Sequence, residues 1–395
     1  MIIIGGGPVG FVNALGLAQA GVRVTVIEAE PRIVNSPRAA VYFWSVLDGL
    51  ERLGILAEAE TTGVRKQDYT YLVRRSGERI AYSMQILEGR TSHPYNLHLG
   101  QHLLADIARR RLQSFSNATV RFGTRLEKLE QDADGVTLTV ATMREPEELR
   151  ARWVIGADGA GSTVRRLLDL PFDGTTWPER FVATNLYYDF ERHGYARSTF
   201  VIDDRFGAVI AVLNNEGLWR CTYMEDATLP EQTFLERLPQ AYEAILPGQG
   251  AYQLERASPY RMHQRTTPRY RVGRVVLAGD AAHVTNPTGG LGLTCGFFDS
   301  FALYPALAAI VLERANDEVL DRYSEVRRDM FLSRVSPQAT LNKQLIFHAN
   351  GGGPKLEEGL AGLRRLATDP EFLWQRLMFT KSLETPALLE ARPSQ

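Results

Sequence analysis

Residues 2–4 are three isoleucines, and Gly5-Gly6-Gly7-Pro8-Val9-Gly10 follows at once. Beyond the glycines, Phe11, Ala14, Leu15 and Ala18 recur at helical spacing, and Gly21 ends the run. Residues 22–27 are apolar again and stop at Glu28. Strand, tight turn, helix and strand in that order predict a βαβ unit.

The pattern then changes several times. Residues 45–53 read as a helix stopped by Gly54, and 69–74 with 79–84 as a hairpin about Ser76-Gly77. Residues 101–112 are helical, with Leu104, Ala108 and Leu112 on one face. Strands are expected at 119–122, 125–130, 136–142 and 152–155, with Asp134-Gly135 as a turn. From 180 to 224 four consecutive strands predict an antiparallel sheet. A buried strand returns at 272–277, and a glycine-rich loop at 288–292 opens a long apolar helix. The expected fold class is α/β: a Rossmann-like dinucleotide domain, an inserted antiparallel sheet and a C-terminal helical segment. The boundaries expected are 1–68, 97–179 and 265–330 for the first, 69–96 and 180–264 for the sheet, and 331–395 for the tail.

Composition narrows the class. With 395 residues, 44% of them hydrophobic, the chain can build more than one core. Lysine and arginine number 45 against 46 acidic residues, so neither nucleic acid nor an anionic membrane is an expected partner. Two cysteines, Cys221 and Cys295, make neither a disulfide framework nor a cysteine zinc site. His98 and His102 are four apart, but Gly100 between them argues against a helical ligand pair, and no metal is expected. The apolar stretch 296–312 contains Asp299 and Pro305 and reads as a buried helix. No leader is evident, and a reducing, cytoplasmic setting is expected.

Gly5, Gly7 and Gly10 form G-x-G-x-x-G between a strand and a helix. The first allows the turn, the second lets backbone approach a pyrophosphate, and the third lets the helix close on the sheet. The helix start supplies free N–H groups to the phosphates. Glu28, 18 residues after Gly10, ends the next strand, where a carboxylate can accept from ribose hydroxyls. A 2′-phosphate would repel it, so FAD or NAD suits the site better than NADP.

Two later motifs choose between them. Gly156-Ala157-Asp158-Gly159 runs on to Arg165-Arg166, and Gly273-Arg274 runs on to Ala278-Gly279-Asp280-Ala281-Ala282-His283. Together with the N-terminal glycines, over about residues 1–330, they resemble class A flavin monooxygenases, the para-hydroxybenzoate and phenol hydroxylase group. The resemblance implies non-covalent FAD. Asp280 would bind the ribityl chain, and Asp158 would organise the pyrophosphate region by orienting Arg38. Gln101 would lie on the ribityl and pyrophosphate side, and Leu126 near the adenine. Pro287, Gly290, Gly292, Leu293 and Thr294 match the loop under the flavin pyrimidine, where helix-start amides can hold negative charge on reduced flavin. Asparagines usual in the family are replaced in Gly292-Leu293-Thr294 and in Asp299-Ser300-Phe301-Ala302-Leu303.

The implied activity is hydroxylation of a phenolic or polycyclic aromatic ring by dioxygen, through a flavin C4a-hydroperoxide, at the expense of NADPH or NADH. Baeyer–Villiger or epoxidising oxygen insertion is the alternative on the same fold. A flavin-bound interaction protein using the tail as a docking surface is a third reading. Without a second dinucleotide fingerprint, NAD(P)H would dock on a surface groove near Arg38 and Arg165. The base for a phenol is unassigned, with Tyr187, Tyr223 and His263 as candidates. Of Tyr187, Tyr188, Arg197, Phe200, Arg220 and Tyr223, alternation in a sheet puts about half toward a substrate. His283 is expected to be a structural hydrogen-bonding residue.

Overall fold

The computed structural model describes residues 1–37, 39–248, 250–348 and 354–389; Arg38 and the glycine run 351–353 lie outside them. Ile2–Ile4 is an inner strand of a six-stranded sheet in the order Arg271–Val272, Val275–Leu277, Val154–Gly156, Ile2–Ile4, Val24–Ile27, Ala118–Arg121. All neighbours pair in parallel except the first two strands. Ile2, Ile3 and Ile4 are all buried, which explains the unbroken apolar run: both faces of this sheet are covered. Ile4 stands level with Ile27 and Gly156, and Gly156 with Leu277. The turns that follow these strands therefore emerge together at one sheet edge.

The second large sheet has eight strands. Its order is His283–Val284, Gln253–Thr266, Asp173–Tyr187, Leu218–Asp226, Ala208–Val212, Ser198–Ile202, Asp68–Val73, Glu78–Ser83. One face packs Val182, Val201, Ile210, Cys221 and Tyr223 against Leu238, Tyr242 and Ile245 of the helix Phe234–Ile245. The other carries Phe181, Phe200, Val209, Met224 and Tyr260, which meet Ile346 and Phe347. The strand Asp173–Tyr187 begins before the expected residue 180, and the helix Phe234–Ile245, which holds Pro239 inside it, was not expected. Arg125–Gln131, Val136–Ala141 and Glu147–Ala151 form a separate three-stranded sheet.

The helix Leu291–Val311 is long and apolar enough to cross a membrane by length and composition, yet 72% of its most apolar window is buried inside the protein. Helix Val319–Met330 passes through a π-helical turn, Phe331–Val335, into helix Ser336–Phe347. The tail helices Pro354–Thr368 and Pro370–Lys381 bury Leu360, Leu363, Leu366, Leu373 and Leu377 in one cluster with Trp44, Tyr69, Tyr71 and Met84. These two tail helices are thus built into the core, while Leu332 and Leu341 of the preceding segment are exposed.

Candidate functional site

The three glycine motifs, far apart in sequence, meet at the carboxyl ends of adjacent parallel strands, where ligands of open α/β sheets bind. Gly5 N donates to Ile27 O at 2.8 Å, Ala157 N to Ile4 O at 2.7 Å, and Ala278 N to Gly156 O at 3.0 Å. Gly5 takes φ +110°, and a Cβ there would collide with the Ala157 carbonyl. A Cβ on Gly10 would collide with the Gly5 carbonyl, so helix Pro8–Gln19 can start this close to the strand only with glycine there. A Cβ on Gly7 would meet nothing within 4 Å, so its face of the turn is open to a ligand. The helix has no side-chain cap and no acid in its first turn, which leaves its amides to an anion.

Glu28 closes one end of this edge. Its carboxylate accepts from Gly6 N at 2.6 Å and Glu30 N at 2.8 Å, fixing it beside the turn. Thr124 N donates to Glu28 O at 2.9 Å, which brings buried Leu126 to the same end. Gln101 opens the helix Gln101–Leu112, and its N–H donates to Ala39 O at 3.2 Å. Arg38, next to that alanine, lies outside the described residues.

Among the described residues, Asp158 is placed by the helix that follows it. It accepts from Ser162 Oγ at 2.6 Å, Thr163 N at 2.7 Å and Val164 N at 3.1 Å, so it caps helix Thr163–Leu167. Burial pushes its carboxyl above the usual range, and these three donors oppose that. Arg165 is not a surface cation for NAD(P)H. It is buried, donates to Ala281 O at 2.8 Å and Ala160 O at 2.7 Å, and lies over the Phe172 ring, so it ties the second motif to the third.

The third motif turns at Gly279–Ala281, with Asp280 exposed there. Pro287 is exposed on the loop that leads to helix Leu291–Val311, whose cap Gly290 has φ +69°. This helix too has no side-chain cap and no acid in its first turn, the turn that holds Gly292, Leu293 and Thr294. It packs against the first helix: Cβ atoms on Gly279 and Gly296 would lie 3.0 and 2.9 Å from Val9 Cγ2. The two uncapped helix starts therefore converge. The Thr285 and Thr288 hydroxyls of the loop are buried without a partner among the described residues. Open turn, free amides, orphaned hydroxyls and a carboxylate at each end fit a ligand with phosphates and hydroxyls, as FAD has.

Side chains from the rest of the fold hold the loop. Asn286 Nδ2 donates to Gln264 Oε1 at 2.9 Å, and Thr288 N donates to Asn286 Oδ1 at 3.1 Å. Gln264 Nε2 donates to Ser336 O and Thr340 Oγ1, each at 2.7 Å. Gln264 and Met262 lie on the face of the eight-stranded sheet that carries Phe181, so this is the face turned toward the loop.

That geometry takes two of the candidate bases, Tyr223 and His263, off the loop face. Tyr223 is on the opposite face, edge-on to Tyr242 under helix Phe234–Ile245. His263 alternates with Met262 and Gln264, pairs through Nδ1 with Thr176 Oγ1 at 2.9 Å, and has its pKa pushed down by burial and by Arg265 and Arg261. Tyr187 is the exposed last residue of its strand. Tyr188 packs with Phe190 on the helix-covered face, and Arg197 is exposed, paired with Glu191. Phe200 and Arg220 lie on the loop face, and Tyr187, opposite Leu218, shares it at the exposed end of its strand, so three of the six sheet residues are on that face. Arg220 is 8% exposed and donates through Nε to Asn185 Oδ1 at 2.8 Å. Burial pushes its pKa down to about 10, against the pull of Tyr260 and Glu255.

His98 has a place that its spacing from His102 does not show. It sits on strand Asn96–His98, fully buried, and its Nδ1–H donates to Val212 O at 3.0 Å. Its Nε2 has no partner among the described residues. Cross-strand from it is Val41, whose side chain approaches Gly290.

The FAD binding domain family matches residues 1–335, and the chain belongs to it. Over 386 residues, 98% of either chain, it is 41% identical to 6-hydroxy-3-succinoylpyridine 3-monooxygenase of Pseudomonas putida (strain DSM 28022 / S16). Over 87% of its length, and 86% of the relative's, it is 43% identical to para-nitrophenol 4-monooxygenase of Pseudomonas sp. (strain WBC-3). The crystal structure of p-nitrophenol 4-monooxygenase from Pseudomonas putida DLL-E4 superposes with a TM-score of 0.92 at 39% identity, covering 97% of each chain. With the site above, these likenesses define an FAD-dependent monooxygenase that hydroxylates an aromatic ring.

Proposed function

We propose that the enzyme inserts oxygen at the ring carbon para to a phenolic hydroxyl, at a carbon that already bears an electron-withdrawing substituent. The observation that carries this is shared by the two relatives. One is named for position 3 of a 6-hydroxypyridine bearing a 3-succinoyl group, the other for position 4 of a nitrophenol; both positions are para to the hydroxyl. Loss of the hydroxyl proton pushes electron density onto that carbon and prepares it for an electrophile.

Bound FAD would supply hydride acceptance from NAD(P)H and an electrophilic oxygen drawn from dioxygen. The chain's own residues do the rest. Amides of Gly5–Gly10 and the helix starts would hold the phosphates, with Glu28 and Asp280 accepting from hydroxyls at the two ends of the cofactor. Gln101 would serve the ribityl and pyrophosphate side, Leu126 the adenine, and Pro287, Gly290 and Gly292 the loop beside the pyrimidine. Amides of Leu293 and Thr294 would stabilise negative charge on reduced flavin. Arg220 favours an oxyanion on the substrate, and the apolar loop face, with Phe181, Phe200 and Met224, keeps water out. After oxygen transfer the substituent leaves with its bonding pair, the hydroxyl oxygen becomes a carbonyl, and a quinone results. From 4-nitrophenol the leaving group is nitrite. An NAD(P)H-dependent reaction of this kind suits the cytoplasm, where the reductant is replenished.

The test is purified enzyme with NADPH or NADH and 4-nitrophenol, phenol and 4-succinoyl-type acceptors. One nitrite per NAD(P)H oxidised in the presence of 4-nitrophenol supports the reading. A product that gains oxygen ortho to the hydroxyl and keeps its para substituent would overturn it.

A further inference from the structure

Asp299, on helix Leu291–Val311, is fully buried behind the Gly279 turn. One carboxylate oxygen accepts from Gly279 N at 2.9 Å and His283 Nε2 at 2.7 Å; the other accepts from Arg327 Nε at 2.7 Å. Arg327 is fully buried as well, and all five of its N–H groups are used. One terminal nitrogen donates to Cys295 O at 3.1 Å and Cys295 Sγ at 3.2 Å. The other donates to Leu383 O and Thr385 Oγ1, both at 2.8 Å. Phe331, in the π-helical turn, stacks on His283 with ring centroids 4.8 Å apart.

His283, Cys295 and Asp299 carry their ligand atoms close enough for a metal ion. Arg327 excludes that reading. It occupies the second oxygen of Asp299 and the sulfur of Cys295, and a guanidinium beside a metal cation would repel it.

Every donor of Arg327 points either to the flavin side of the fold or to the tail. The tail contacts, Leu383 and Thr385, lie beyond residue 335, where the family match ends. We propose that the segment 383–385 is part of the flavin site, acting through Arg327 and Asp299 as a latch that holds the Gly279 turn and the start of helix Leu291–Val311 in register. Arg327 is a positioning residue; it does not touch the cofactor. The proposal rests on the reading that Asp280 and the Gly290–Thr294 helix start hold FAD. Cys295, which receives Arg327, follows Thr294 directly, so slack in the latch reaches the amides that face the reduced pyrimidine. Lysine cannot replace arginine here, because three N–H groups on one atom cannot reach Asp299, Cys295 and Leu383 together.

The test uses the full-length holoenzyme and the variants Thr385→Val, Arg327→Lys and Asp280→Ala. FAD dissociation is read by the fluorescence of released flavin, and the midpoint potential by equilibration with a reference dye. Thr385→Val should raise the FAD dissociation constant about threefold to tenfold, and Arg327→Lys by more. In both, reduced flavin should lose more affinity than oxidised flavin, and a tenfold difference lowers the potential by about 30 mV. If both variants melt earlier but keep wild-type FAD affinity and potential, the latch is only structural and the proposal is wrong. If Arg327→Lys does not fold, Thr385→Val decides alone. Asp280→Ala separates the two readings. FAD lost from Asp280→Ala alone sinks the latch and leaves the site; FAD retained in Asp280→Ala sinks the site itself.

Discussion

Ile4 and Gly156 stand side by side on adjacent parallel strands, and the Ala157 amide that follows donates to the Ile4 carbonyl at 2.7 Å. This one contact joins the first glycine motif to the second, and it leaves no space for a side chain on Gly5. Gly5→Ala would need a Cβ inside the Ala157 carbonyl and a left-handed φ as well. We expect Gly5→Ala to purify without yellow colour, whereas Gly7→Ala, whose Cβ meets no protein atom, should fold normally and bind FAD more weakly. Absorbance at the flavin maximum against protein concentration measures both. A Gly5→Ala protein with full flavin would show that the turn is not where FAD binds.

FAD should be held without a covalent link. Heat or acid precipitation should leave FAD, and not FMN, in the supernatant. Asp280→Ala removes an acceptor at the ribityl end and should cost about 1.5–3 kcal/mol of FAD affinity, roughly tenfold to more than a hundredfold. Glu28→Ala should cost at least as much, because that carboxylate also fixes Gly6 N at 2.6 Å. Flavin occupancy after dialysis reports both, and wild-type occupancy in both variants would refute the assignment.

Arg220→Gln tests the substrate side. The substitution removes a buried cation of the loop face while a polar group remains near Asn185. FAD occupancy should stay at the wild-type level. The dissociation constant for a phenolate-type substrate should rise by about tenfold or more, in line with the loss of a charged hydrogen bond. A visible-difference titration of substrate into the oxidised holoenzyme measures it. Unchanged substrate affinity would place the oxyanion elsewhere.

The parts of the site that were legible in the sequence are those set by local chemistry. The glycines at 5, 7 and 10 and Glu28 could be read because turn, helix start and strand end are all within one short unit. Asp158 and Asp280 were found through motif resemblance; among the described residues Asp158 is held by its own helix, and the Arg38 it is expected to orient lies outside them. What the sequence hid is parity and long-range pairing. Arg220 and Tyr223 sit on one strand and differ by three residues, so they face opposite sides. Which side is buried under a helix depended on Phe234–Ile245, an element that Pro239 disguised. His98 owes its place to Val212, 114 residues away, and Arg327 reaches Thr385 across 58. Neither distance leaves a periodic trace.

His98 sets the final prediction, on pH. Burial drives its pKa from 6.5 down to about 4; the Val212 carbonyl opposes this, and Lys66 on the neighbouring strand adds to it. The folded protein thus refuses a proton that the unfolded chain accepts below about pH 6.5. Between that pH and about 4 the unfolded state binds more protons, so stability falls as pH falls, by about 1.4 kcal/mol per unit from this group alone. Near pH 5 the loss should be about 2 kcal/mol. His98→Gln keeps an N–H for the Val212 carbonyl but cannot titrate. Urea unfolding at pH 7 and pH 5 should therefore show a drop in stability about 2 kcal/mol smaller in the variant than in the wild type. Above pH 7 the two should run parallel, since His98 is neutral in both states there. Equal acid sensitivity in the two proteins would mean that the imidazole takes up its proton inside the fold, with the unpartnered Nε2 finding an acceptor.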